Sequence, residues 1–103
     1  MKKKDIWRLA LLNAPFAKEP TPLDFLKELD SGSIFSLIKD EPPTVIAPVL
    51  QSLGFEKSQE VLEKCQMPLQ KEVLRVMYTL DIVDDGILRI IANALKRKIE
   101  KKG

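Results

Sequence analysis

The chain of 103 residues has no histidine, one cysteine, four glycines and only two aromatic side chains besides its four phenylalanines. Each shortage closes a class of chemistry. Without histidine there is no imidazole for acid–base catalysis or for metal ligation. A lone cysteine, Cys65, rules out an intrachain disulfide, which suits a reducing compartment. It falls on an apolar helical face, so it reads as a buried, inert thiol rather than a nucleophile. Gly32, Gly54, Gly86 and Gly103 are scattered and form no loop able to cradle a phosphate. No apolar run approaches the roughly 20 residues of a membrane helix. The opening "MKKKDIWRLALLNAPFA" is laid out superficially like a signal peptide. Asp5 and Arg8 interrupt its apolar part, and "NAPFAKEP" makes a poor cleavage site. The chain therefore reads as cytoplasmic, with no insertion into a membrane.

Charge is nearly balanced, at a formal +2. Basic residues cluster in "MKKK" and in "KRKIEKKG", which holds Lys96, Arg97, Lys98, Lys101 and Lys102. Cations at a helix C-terminus suit the helix dipole and aid solubility. Nucleic-acid binding calls for a larger net charge or for interleaved aromatics, and neither is present. Asp84–Asp85 and "DSGS" at 30–33 read as helix caps and turns. Neither an enzyme, a cofactor nor a metal site is expected.

What the chain does have is helical periodicity punctuated by proline and glycine. A short leading helix is expected over 5–13, followed by a loop with Pro15 and Pro20. "TPLDFLKELDSG" predicts a helix capped by Thr21, with Pro22 first and Gly32 just past its end. "SIFSLIKD" predicts another at 33–40. Pro42 holds the chain extended before a helix that opens on Pro43, where a missing N–H has no partner to lose. Ile46, Val49, Leu50 and Leu53 share one face of it, Pro48 bends its first turns and Gly54 ends it. Further helices follow at 56–65, with Val61, Leu62 and Cys65 inward, and from Pro68, with Leu69, Val73, Val76, Met77 and Leu80 inward. The last runs over about 85–101, capped by Asp84. No strand is expected, since Pro48 interrupts the one short apolar run. The fold class is all-α, a small right-handed helical bundle or solenoid of six to seven short helices. Residues 1–20 form an extension and 21–103 the domain.

"PLDFLKELDSGSIFSLIKDEPPTVIAPVL" at 22–50, "LQKEVLR" at 69–75 and "TLDIVDDGILR" at 79–89 carry a resemblance. In order and spacing they are similar to the middle domain of the flagellar motor switch protein FliG. No single motif is highly specific, and the likeness covers about three quarters of the chain. It implies an armadillo-like domain of the cytoplasmic switch ring at the basal body. It also implies a contact with FliM, made in the family through a Glu-His-Pro-Gln motif that falls here on Glu41, Pro42, Pro43 and Thr44. The histidine and glutamine are thus replaced. A pair of arginines common nearby becomes Arg75 followed by Val76, so several polar contacts, each worth roughly 0.5–3 kcal/mol, are gone. The family's flanking domains are not represented, and Met1 with its unusual lead sequence points to a stand-alone protein. A weaker similarity extends to the helical cytoplasmic domain of MgtE magnesium transporters.

On a helical wheel the last helix spreads Ile87, Leu88, Ile90, Ile91, Ala92, Ala94, Leu95 and Ile99 over roughly 200°, whereas one core contact needs only a little over 100°. Family members commonly carry charge at the positions of Ile90 and Ala92. Two readings stand. The first helix, with Trp7, folds back over this surplus face; or Ile90, Ala94 and Arg97 mark a second interface, for a partner or another copy. The sequence thus predicts a non-enzymatic interaction module binding FliM-like switch proteins or FliG, as a component or accessory of the ring. The alternatives are a regulatory domain like that of the magnesium transporters, which would want an acidic sensing surface, and a self-associating adaptor.

Overall fold

The computed structural model describes residues 6–18, 20–80 and 83–102. Among them six α-helices and one 3-10 helix follow in order, with no strand. They are α1 (Ile6–Leu12), the 3-10 helix (Asp24–Glu28), α2 (Ser31–Ile38), α3 (Pro43–Leu53), α4 (Phe55–Lys64), α5 (Met67–Thr79) and α6 (Asp85–Lys102). The lead residues 1–5 and the segment 81–82 lie outside the described residues.

α3 begins as its prolines dictate. Pro42, extended at φ −68° and ψ 156°, precedes Pro43 at the first helical position. Pro48 sits inside α3 without ending it, and Thr44, whose carbonyl loses its bond to a residue-48 amide, is exposed to water. Every residue from Ile46 to Leu53 is buried. α3 is therefore the axis of the domain, packed most extensively against α5, and also against α4, α6 and the 3-10 helix. A single apolar cluster joins Ile46, Val49 and Leu50 of α3 to Ile34, Val61, Leu62, Val73, Met77 and Leu95.

Gly54 is the whole connection between α3 and α4. Its φ of 87° and ψ of 173° lie in a region that essentially only glycine enters. So sharp a turn leaves the last carbonyls of α3 without N–H donors from their own helix. Two outside donors reach them: Ser58 Oγ donates to the Leu50 carbonyl at 2.7 Å, and the Ala17 amide donates to the Gln51 carbonyl at 2.9 Å.

Three expectations are corrected. The helix foreseen from Thr21 to Gly32 is only a 3-10 helix, in which Leu23, just before it, and Leu26 are both fully buried at the i, i+3 spacing that such a helix stacks. Thr21 does cap, accepting from the Leu23 amide at 3.1 Å, but Asp30 starts a new helix, its Oδ1 accepting from the Ser33 amide at 2.7 Å. That donation holds the Asp30 carboxyl below its usual range. Gly32 consequently lies within α2, which runs over Ser31–Ile38 rather than 33–40. Next, α1 packs against α4 and α5, and leaves Ile87 and Ile90 of α6 exposed. The pinning of Ala17 to the end of α3 and the fully buried Leu11 fix it there; Trp7 packs on the core from that side. Finally, Leu80 faces out, because α5 ends at Thr79 and Leu80 is extended.

Cys65 is buried as expected, its Sγ 3.6 Å from the Val61 carbonyl. Burial pushes its thiol up to about 11 from an ordinary 9.0. The protonated thiol is the form the fold favours, so its contribution to stability is complete below pH 9 and is lost as pH rises towards 11. Iodoacetamide labelling is expected to be slow in the native protein at pH 8 and fast in denaturant. Ser58→Ala, which orphans a buried carbonyl, is expected to cost about 1–3 kcal/mol in urea unfolding.

Candidate functional site

The stretch 39–44 is built by the end of α2 and the start of α3. The Lys39 amide donates to the Phe35 carbonyl at 2.8 Å and the Glu41 amide to that of Ile38 at 2.9 Å, closing α2. The Pro42 carbonyl accepts from Val45 at 2.9 Å and from Ile46 at 3.1 Å, opening α3. No side chain caps this helix. Pro42 and Thr44 are exposed, and Glu41 and Pro43 half-buried.

Glu41 is already engaged. Its Oε2 lies 2.9 Å from Nζ of Lys98, and the same ammonium donates to the Leu37 carbonyl at 2.8 Å. One lysine thus ties α6 both to the last turn of α2 and to the loop before α3. Lys98 was expected only to serve the helix dipole and solubility. Fifty-seven residues separate it from Glu41, so no local spacing announces the pair.

Arg75 is placed elsewhere. On α5 it makes an ion pair with Glu72 at 2.8 Å, one turn away. Donation from Arg75 holds the Glu72 carboxyl below its usual value and raises the guanidinium. Arg75 lines a groove between α1 and α5, with Ile6, Trp7, Met67 and Tyr78, rather than the face formed by Glu41 to Thr44. The groove, of about 600 Å³, was not foreseen. Its wall is fixed by the Tyr78 hydroxyl donating to the Ala10 carbonyl and by an ion pair of Arg8 with Glu63.

Ile90, Ala94 and Arg97 are all exposed and follow at i, i+4 and i+7 along α6, with Ile87 one turn earlier. The opposite face, Leu88, Ala92 and Leu95, is buried in the core. Ile87, Ile90 and Ala94 thus leave an apolar stripe of α6 exposed, whereas Ala92, expected with Ile90 on the surplus face, is instead part of the core.

A family model described as FliG middle domain matches residues 31–103. The chain belongs to the FliG middle-domain family. The all-helical architecture is thus the armadillo-like one of that family. The flagellar motor switch protein FliG of Aquifex aeolicus (strain VF5) is 32% identical over 78 residues, which cover 76% of this chain and 24% of that protein. The chain thus spans about a quarter of the length of this FliG relative. No solved structure matches it. Both the Glu41–Thr44 stretch and the α6 stripe fall inside the matched residues, whereas α1 precedes them.

Lys98→Met is expected to lower stability by about 1 kcal/mol, since it strips a half-buried carboxylate and a helix-end carbonyl of one donor. Glu41→Gln, which keeps an acceptor for Lys98, is expected to cost less; urea unfolding of both compares them.

Proposed function

We propose that this FliG middle-domain-like chain is a non-enzymatic protein–protein interaction module of the flagellar motor switch, acting at the cytoplasmic face of the basal body as a diverged component or accessory. In this reading a FliM-like switch protein docks on the start of α3 at Glu41, Pro42, Pro43 and Thr44, with Arg75 on a separate face. Ile90, Ala94 and Arg97 of α6 supply a second surface for a further switch subunit or another copy. The family match across residues 31–103 carries the reading.

The geometry supports it at one point in particular. The first turn of α3 presents the Thr44 amide with no backbone acceptor and no capping side chain, on an exposed residue between half-buried Pro43 and Val45. A partner's carboxylate or carbonyl oxygen would satisfy that donor and meet the positive end of the helix. Glu41 is half-buried and held by Lys98, so it acts in this reading mainly by shaping the loop.

Calorimetric titration with the middle domain of FliM from the same organism tests the proposal. Micromolar binding is expected. Thr44→Arg should weaken it about tenfold, or ~1.4 kcal/mol, with the unfolding midpoint unchanged. Glu41→Arg should lower both affinity and stability. Absence of heat and of a complex, or a Thr44→Arg protein that binds as the parent does, would remove the start of α3 as the FliM surface.

A further inference from the structure

The loop Pro20–Thr21–Pro22 runs beside α6 and encloses with it a pocket of about 460 Å³. Its two prolines restrict the backbone of that wall. The opposite wall is Arg89, Asn93 and Lys96. Spaced i, i+4 and i+7, they share one face over two turns, roughly 10 Å of helix. Neither Arg89 nor Lys96 enters an ion pair among the described residues, and the Asn93 amide makes no hydrogen bond there. Lys96 is nonetheless held in place, its ammonium 4.9 Å from the centroid of the Phe25 ring. Thr21 Oγ1 accepts from the Leu23 amide, which leaves its O–H free to donate. Among the described residues Asp85 is the only carboxylate lining the pocket. It stands in the first turn of α6, where the helix's own amides answer its charge.

We propose that this pocket binds the phosphate group of a small phosphate ester. A guanidinium, an ammonium, an amide and a hydroxyl line one volume against a single carboxylate, so an oxyanion is the ligand that satisfies them. Phosphate is favoured over a carboxylate because its three acceptor oxygens can take a bidentate guanidinium and still accept from Lys96 and Asn93. Its charge of about −1.5 to −2 also answers both cations. The volume lies within the roughly 300–1,000 Å³ of small-molecule sites. The rings of Pro20 and Pro22 and the methyl of Ala92 offer apolar contact to the rest of the ester. A nucleic acid fits less well, since no aromatic side chain lines the pocket to stack a base. The proposal does not depend on the FliM reading, because the pocket includes none of Glu41 to Thr44 and none of Ile90, Ala94 and Arg97.

Nitrogen–proton correlation spectra of the full chain test it by following the Asn93 side-chain amide and the Arg89 Nε–H directly. The titrants are phenyl phosphate, inorganic phosphate and sodium chloride, at constant ionic strength. Saturable shifts are expected with phenyl phosphate, weaker binding with inorganic phosphate, and no saturable shift with chloride. Arg89→Gln should weaken phenyl phosphate about tenfold, the loss of a charge-assisted hydrogen bond, and Lys96→Gln by a similar factor. The circular dichroism melt of Arg89→Gln should be unchanged, because Arg89 is exposed and unpaired. Absence of saturation, equal shifts with chloride, or an Arg89→Gln protein that binds as the parent does would each overturn the proposal. Phenyl phosphate that binds no tighter than inorganic phosphate would mean an adventitious ion only, and would overturn it too. So would a phosphoserine peptide that displaces phenyl phosphate at far lower concentration; that result would assign the pocket to a phosphorylated protein.

Discussion

Helix α3 buries eight consecutive residues, Ile46 to Leu53, two of them polar. A helix enclosed on all sides must dispose of its terminal backbone groups without help from water. Its N-terminal end solves this by exposure and by Pro43, which has no amide to satisfy. Its C-terminal end cannot, because Gly54 turns the chain directly into α4. The Ser58 hydroxyl and the Ala17 amide take up carbonyls of Leu50 and Gln51 there. These bonds orient the rest: Ser58 sets the close angle of α4 on α3, and Ala17 anchors the loop from which α1 returns over α4 and α5. One donor, Nε2 of Gln51, stays buried without an acceptor, and nothing in the structure explains it.

The same solution recurs at the other helix ends. Lys57 donates to the Leu29 carbonyl behind the 3-10 helix, Gln70 to that of Leu62 in the last turn of α4, and Lys98 to that of Leu37 in α2. Each donor sits on a different helix from the carbonyl it serves. The net gain per bond is about 1 kcal/mol, but the loss on leaving a buried carbonyl unmet is larger. Short helices have a high share of terminal groups, so a fold of 7- to 18-residue α-helices gains order from such caps as well as from apolar spacing. They also stop neighbouring helices from sliding, since each side chain reaches one carbonyl and not the next.

Apolar spacing and punctuation made α3 to α6 legible in the sequence to within about a residue or two. Pro43, Gly54 and Asp84 act within a turn of themselves, and such local rules survive packing. The segment 21–32 misled because Asp30 caps forwards, onto Ser33, rather than letting the chain run to Gly32. Its buried Leu23 and Leu26 fit α and 3-10 spacing alike, so the apolar pattern could not decide. The destination of α1 was not legible at all. A helix apolar all round matches any apolar surface, and its place was settled by the Ala17 and Tyr78 hydrogen bonds, both to residues far along the chain. The surplus face of α6 was visible because it depends on one helix alone.

The distribution of charge around the start of α3 bears on what a partner can gain there. In the stretch Glu41–Thr44 the only ionised side chain is Glu41, and it faces Lys98 of its own chain at 2.9 Å. A partner cation drawn to that carboxylate must share it with an internal ammonium that also holds the Leu37 carbonyl, so recruiting it would loosen α6 from α2. The loosened helix is the one that bears Ile90, Ala94 and Arg97. Neighbouring Pro42 offers no donor, and Pro43 none either, which leaves the Thr44 amide and hydroxyl as the polar groups a partner can use without disturbing the fold. Under the proposed docking, Pro42 and Thr44 in place of histidine and glutamine would move recognition from side-chain donors towards backbone and shape, a change that would favour a carboxylate or carbonyl from the partner over a cation.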